Sequence, residues 1–169
     1  VLLVHLKSQL DRDRIDPGGR DRRRAELEKL VHIYTEIDEE FGKRVPVLLT
    51  GDFNGTAALP LHDPEFEAIY RETDLKDALE VADLPQDERF TYMQLPQRNS
   101  RVGAGFSRQL DYIFVPEKLH ARVSREDTWV YRFKDEHGMT MMIPRNLNEK
   151  KLLCSDHYPV VLTLEPETR

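Results

Sequence analysis

Three apolar, strand-forming runs in this chain each meet a patch dense in carboxylate, amide and imidazole groups: G-D-F-N at 51–54, Q-L-D-Y-I-F at 109–114 and S-D-H-Y-P-V at 155–160. This pattern limits the fold more than any other feature. A carboxylate buried among apolar residues, as Asp111 is in its run, costs on the order of several kcal/mol unless it gains a partner. Pairing with a histidine is the natural remedy, and His157 is the candidate. The patches sit where strands end and loops begin, so the strand ends are expected to converge.

The rest of the chain supplies the layers. Residues 1–6 (V-L-L-V-H-L) read as a core strand that carries His5, which implies further residues upstream. A polar, Arg-rich link follows, broken by Pro17-Gly18-Gly19. Leu27, Leu30, Tyr34, Ile37 and Phe41 recur at helical spacing, and Gly42 is a fitting stop. Residues 45–49 read as a buried strand with Pro46 near its start. Asp63-Pro64 opens a short helix to about Arg71, and Asp74 caps another over 75–81. Further strands are expected at 89–94, 110–115, 123–133 and 159–164, with a loop at 99–107 and an irregular connection over 134–151. Early alternation of strands and helices, followed by a run of strands, predicts an α/β layered domain with a mixed sheet.

The chain has 169 residues, enough for one domain with a core. Its net charge of −6 provides no global basic field for unspecific nucleic-acid binding. No apolar run approaches the ~20 residues that span a bilayer. The single cysteine, Cys154, excludes an internal disulfide and is expected to be a buried, inert thiol.

Asp52 and Asn54 lie two apart, so in extended backbone they project to one face. Such a pair can hold a hard cation or orient a water and a phosphoryl oxygen; it can equally form a capped turn. At a loop before a strand, Asp156 and His157 can both reach a site, Asp156 as a metal or water ligand and His157 at a phosphate or a proton. In the Arg-rich link, Arg12, Arg14, Arg20, Arg22, Arg23 and Arg24 are offset by Asp11, Asp13, Asp16 and Asp21. A solvated, self-paired loop is the simpler account, with Arg20 and Arg23 as the candidates to face an anionic substrate. The loop at 136–142 reads as a tolerated insertion.

Taken together and in this order, the three patches resemble those of the endonuclease/exonuclease/phosphatase superfamily, the magnesium-dependent phosphoesterases related to pancreatic-type deoxyribonuclease. The resemblance runs from residue 1 to 164. It implies part of a four-layer α-β-β-α sandwich, and hydrolysis of phosphate esters, above all phosphodiesters, with Mg2+ or Mn2+ as cofactor. The implied substrate is a nucleic acid, or a phospholipid or inositol phosphate. Asp52 would position or deprotonate the attacking water and share in the metal. Asn54 would hold the phosphate or the metal-bound water, and Asp156 would bind the metal. His157 would contact the scissile phosphate with Asp111 as its partner, and His5 would be a general acid or a transition-state stabiliser. Either Asp52 or the His157–Asp111 pair would be the general base.

The sequence departs from the family pattern in one respect. The Asn and the metal-ligating Glu expected on strands ahead of V-H-L are not in it. Residues 1–169 are therefore expected to form a single, N-terminally truncated domain with an uncovered sheet face, prone to self-association, weak in metal binding and weak or inactive alone. A non-catalytic interaction or ligand-binding module that keeps the fold is the alternative. The intact Asp52, Asn54, Asp111, Asp156 and His157 speak against it.

Overall fold

The apolar run at the start of the chain forms β1 (Leu2–His5), whose alternation turns Leu2 and Val4 toward a core and leaves Leu3 and His5 outside it. The computed structural model describes residues 1–10, 14–57, 64–95 and 106–167. Arg12, the expected cap Asp63 and most of the loop expected at 99–107 lie outside the described residues.

The stripe of apolar residues forms α1 (Arg20–Glu40), which buries Leu27, Leu30, Val31 and Tyr34. Phe41, expected at the end of this stripe, lies just past the helix and is exposed. β2 (Leu49–Asp52) forms later in the sequence than the strand expected at 45–49, and so takes in part of the G-D-F-N patch. After it come α2 (Glu67–Glu72), β3 (Lys76–Asp77), α3 (Ala78–Val81) and the paired strands β4 (Tyr92–Gln94) and β5 (Phe106–Arg108). The chain closes with β6 (Asp111–Val115), α4 (Glu117–His120), β7 (Trp129–Val130), α5 (Leu147–Lys150) and β8 (Val160–Val161). The strand expected at 123–133 is thus reduced to Trp129 and Val130, and that at 159–164 to Val160 and Val161. No helix among the described residues is long and apolar enough to cross a membrane.

The main sheet has the order β1-β2-β6-β3 and is mixed, because β1 is parallel to β2 while β6 is antiparallel to both its neighbours. One face carries Leu2, Val4, Leu49, Tyr112 and Phe114 and packs against α1 and α2. Phe53, Phe66, Tyr112 and Phe114 form its centre, with ring centroids 5.2 to 6.4 Å apart. The opposite face is covered in part, where Ile113 and Val115 meet Ala78, Val123, Leu162 and Leu164. Toward β1 it is open: Leu3 is 80% exposed.

The helix over 78–81 is capped by Asp77, not by Asp74, because β3 pairs with β6 up to Asp77 and holds the backbone extended to that point. Asp77 Oδ1 accepts from the Leu79 amide at 3.1 Å, and Oδ2 from Gln109 Nε2 at 2.8 Å. Burial nevertheless raises the pKa of this carboxyl to about 6, since those two bonds and Arg89 offset only part of the desolvation. Asp74 instead accepts from Tyr34 Oη and from the Glu117 amide, each at 3.1 Å.

A second buried charge ties the Arg-rich link to the core. Arg23 is 2% exposed; its Nε and Nη2 meet the two oxygens of Glu65 at 2.7 and 2.9 Å. Its Nη1 donates to the carbonyls of Lys7 and Gly18 at 3.0 and 2.7 Å. A fork-on-fork pair with the third guanidinium nitrogen also bonded is the form in which a buried guanidinium is tolerated.

Arg23→Ala should therefore destabilise the fold by about 3–5 kcal/mol in urea unfolding, because it leaves Glu65 buried without its main partner. Arg20→Ala, at an exposed side chain 3.5 Å from the same Glu65, should change stability by less than about 1 kcal/mol. Equal effects of the two would refute this assignment. Asp77 sets a pH dependence. Its folded pKa lies above the unfolded value of about 3.9, so folding favours the protonated form. Its contribution is most favourable below about pH 4 and is lost as pH rises toward its folded pKa of about 6. The stability difference between the wild type and Asp77→Asn should change across this window, by on the order of a few kcal/mol, and level off above it.

Candidate active site

Strand register assembles the site. β1 pairs with β2 so that His5 stands opposite Asp52, and β2 pairs with β6 so that Asp52 stands opposite Asp111. Side chains in register project to the same face, so one row of three groups crosses three strands on the side away from α1. His5 Nε2 lies 3.6 Å from Asp52 Oδ2. Gly51 makes the close approach of β1 and β2 possible: its φ is 141°, and a Cβ there would lie 1.9 Å from the Val4 carbonyl oxygen.

Beyond β2 the chain turns sharply. Asn54 has a left-handed φ of 50°, a conformation that asparagine tolerates better than most residues. The turn folds Asn54 back onto Asp52: its amide N–H donates to Asp52 Oδ1 at 2.8 Å, and its Nδ2 donates to Asp52 Oδ2 at 3.1 Å and to the Leu6 carbonyl at 3.1 Å. Asp52 and Asn54 converge as expected, but through a turn and not along an extended strand. The amide group of Asn54, expected at the phosphate, donates to protein acceptors here. Burial raises the pKa of Asp52 and the nearby Asp111 charge adds to it, against the lowering effect of the Asn54 backbone bond.

His157 reaches the row from the other end of the chain. A single bridge between Tyr92 and His157 holds its backbone beside β4, and the Tyr158 amide donates to the Thr91 carbonyl at 2.7 Å. His157 Nδ1 lies 2.8 Å from Asp111 Oδ2. An ionised carboxylate can only accept, so Nδ1 carries the proton and Nε2 is the nitrogen left for other partners. The bond to Asp111 is the main reason that the His157 pKa is raised, against the lowering effect of burial. The ring of Tyr92 lies against that of His157, with centroids 5.0 Å apart.

Asp52, Asp111 and His157 can each offer a ligand atom within 4.8 Å of the others. With His5 and Leu3 they line an open concavity of about 560 Å³. The donor set fits a hard divalent cation in part. Carboxylate oxygens suit Mg2+ or Mn2+, but one Asp111 oxygen already holds His157 and both Asp52 oxygens already accept from Asn54.

Other residues expected here stand elsewhere. Asp156 is outside the three-group cluster and pairs with Lys150 Nζ at 3.0 Å. Burial would raise its pKa, but the hydrogen bond and charge of Lys150 prevail and lower it. Lys150, which the sequence reading passed over, also lies over the Tyr92 ring at 5.2 Å. Arg23 is committed to Glu65, and Arg20 reaches toward the same carboxylate, so neither lines this concavity. Cys154, expected to be buried, is exposed. It borders a neighbouring hollow with Ser155, Phe133 and Ile113.

The sequence matches no family model and no curated protein. Solved structures do match. The truncated TDP2 of Caenorhabditis elegans is 19% identical; the match covers 97% of this chain and 53% of that one with a TM-score of 0.62. TDP2 of D. rerio, complexed with a single strand DNA product, is 16% identical, with 97% and 55% covered and a TM-score of 0.54. An endonuclease/exonuclease/phosphatase family protein from Bacteroides thetaiotaomicron is 25% identical, with 84% and 44% covered and a TM-score of 0.46. The chain shares the mixed α/β fold of these TDP2 structures, and spans about half the length of the chains that it matches.

Proposed function

We propose that the row of His5, Asp52 and Asp111, completed by His157, serves metal-dependent hydrolysis of phosphate esters, with phosphodiesters as the main substrate class. The observation that carries this reading is the convergence of Asp52, Asp111 and His157 within one concavity, from three separate stretches of sequence. The D. rerio structure with bound single strand DNA product favours a nucleic-acid phosphodiester. With a net charge of −6, the chain must recruit the phosphate through local groups and not through a global field.

The roles follow from the placement of these groups. His157, held by Asp111 through Nδ1, presents Nε2 to a phosphoryl oxygen and donates to it when protonated. The base role is assigned to Asp52, because burial and the neighbouring Asp111 raise its pKa and make it a better proton acceptor than an ordinary carboxylate. Water, aligned by Asp52, adds to phosphorus and loses its proton to that carboxylate, and the ester phosphorus–oxygen bond breaks. In this reading His5, 3.6 Å from Asp52, protonates the departing oxygen. Asp52 would hold Mg2+ or Mn2+ with Asp156, if Asp156 exchanges Lys150 for the cation; when bound, the cation neutralises charge developing on the phosphate. With most of its carboxylate oxygens already engaged, the chain alone should bind the cation weakly and turn over slowly.

Two measurements test this. Titration with Mn2+ should broaden the NMR signals of Asp52 and its neighbours first, and Asp52→Asn should weaken that binding. Hydrolysis of a single-stranded DNA phosphodiester should require Mg2+ or Mn2+ and stop with a chelator. Asp52→Asn should lower it by about 10²- to 10⁴-fold, the scale of a lost general base, and His157→Ala by about 10²- to 10³-fold, the scale of a lost donor to a developing oxyanion. Hydrolysis that survives the chelator, or broadening centred elsewhere, would overturn the proposal.

A further inference from the structure

Thr91 is fully buried, uncharged and absent from the row, yet it is bonded to both stretches that bring Asp111 and His157 together. Its hydroxyl oxygen accepts from the Leu110 amide at 2.9 Å and from the Asp111 amide at 3.0 Å. Its carbonyl accepts from the Tyr158 amide at 2.7 Å, one residue past His157, and its own amide donates to the Arg108 carbonyl at 2.9 Å. The first two bonds fix the start of β6, where Asp111 stands. The third fixes the segment that carries His157. β3 pairs with β6 only at Phe114 and Val115, so it does not reach the Asp111 end of that strand. The Thr91 hydroxyl supplies an acceptor there, where the ladder with β3 gives none.

We infer that Thr91 is a positioning residue which sets the distance between the Asp111 carboxylate and the His157 imidazole. This rests on the role proposed above for that pair. A buried threonine at the edge of a strand is ordinarily explained by packing, and a valine of the same shape would then serve as well. The bonds here argue otherwise. Valine would leave two amides at the start of β6 without their acceptor, and the strand end would have to move to find another. The carboxylate attached to that strand end would move with it, while the Thr91 carbonyl would still hold Tyr158. The misalignment would fall on the Asp111–His157 contact, now 2.8 Å.

The test is a set of variants read in two ways. In a long-range proton–nitrogen NMR spectrum, the imidazole nitrogens of His157 report which nitrogen carries the proton and whether Asp111 holds it. Asp111→Ala, which removes the acceptor, provides the pattern for the lost bond. Thr91→Val should shift the His157 nitrogens toward that pattern, and Thr91→Ser, which keeps the hydroxyl, should restore the wild-type spectrum. In phosphodiester hydrolysis Thr91→Val should lower kcat by about 10- to 100-fold with KM little changed, the scale for a misplaced catalytic group. Thr91→Ser should recover most of the rate. If Thr91→Val does not fold, Thr91→Cys, a weaker acceptor of similar size, is read in the same way. A folded Thr91→Val protein with wild-type His157 nitrogens would overturn the inference, as would failure of serine to restore them. The NMR reading needs no turnover, so it judges Thr91 even if the hydrolytic role of the pair proves wrong.

Discussion

Backbone register across β1, β2 and β6 is the constraint on which the candidate site depends. Strand side chains alternate with a period of two, so a one-residue slip of β2 would turn Asp52 toward the aromatic core. What resists that slip is apolar. Leu49, Tyr112 and Phe114 pack against α1 and α2, and each such side chain gains about 1.5–3 kcal/mol from burial. A slip of β2 would turn Leu49 out of that core and press Asp52 against Tyr112 and Phe114. The hydrophobic face thus determines which residues stand in the polar row behind it, and Gly51 keeps β1 near enough to contribute His5.

Neighbouring acids in this region have been pushed in opposite directions by their surroundings. Asp52 is raised by burial and by a second carboxylate across the strand pair. Asp156, one residue from His157, is lowered because it sits on Lys150. His157 is raised because Asp111 accepts from it. Separation of pKa values among adjacent titratable groups is how a site divides proton-accepting from proton-donating duties. The division proposed for Asp52 and His157 is supported by these environments as well as by their placement.

Much of this was legible in the sequence, for identifiable reasons. Asp111 announced itself because a carboxylate within an apolar run demands a partner, and His157 Nδ1 is that partner. The α1 stripe was visible because its burial follows a helical period. Arg23 was not legible: six arginines in a polar link look alike, and only the fold reveals that one of them is opposite Glu65, 42 residues away. Cys154 was misread because a thiol beside an apolar stretch resembles core, whereas the loop that carries it faces outward. Asp74 and Asp77 are both plausible caps by type, and strand pairing at Phe114 decided between them. Thr91 gave no signal at all, because its importance lies in three backbone groups that spacing does not predict.

The placement of the row on the less-covered face has a physical reason. A buried polar cluster is tolerable only when every donor and acceptor has a partner. Here the protein meets that demand in part: Asn54 engages both oxygens of Asp52, and His157 engages one of Asp111. Carboxylate oxygens have more lone pairs than these bonds use, and the His157 Nε2 takes no part in them. Those remaining valences would be a penalty against Phe53, Phe66 and Phe114. Facing an open concavity, they are available to water, a cation or a phosphate. One sheet therefore does two things at once: it buries its aromatic face to hold the register, and it spends that rigidity on a polar face left incomplete within the described residues.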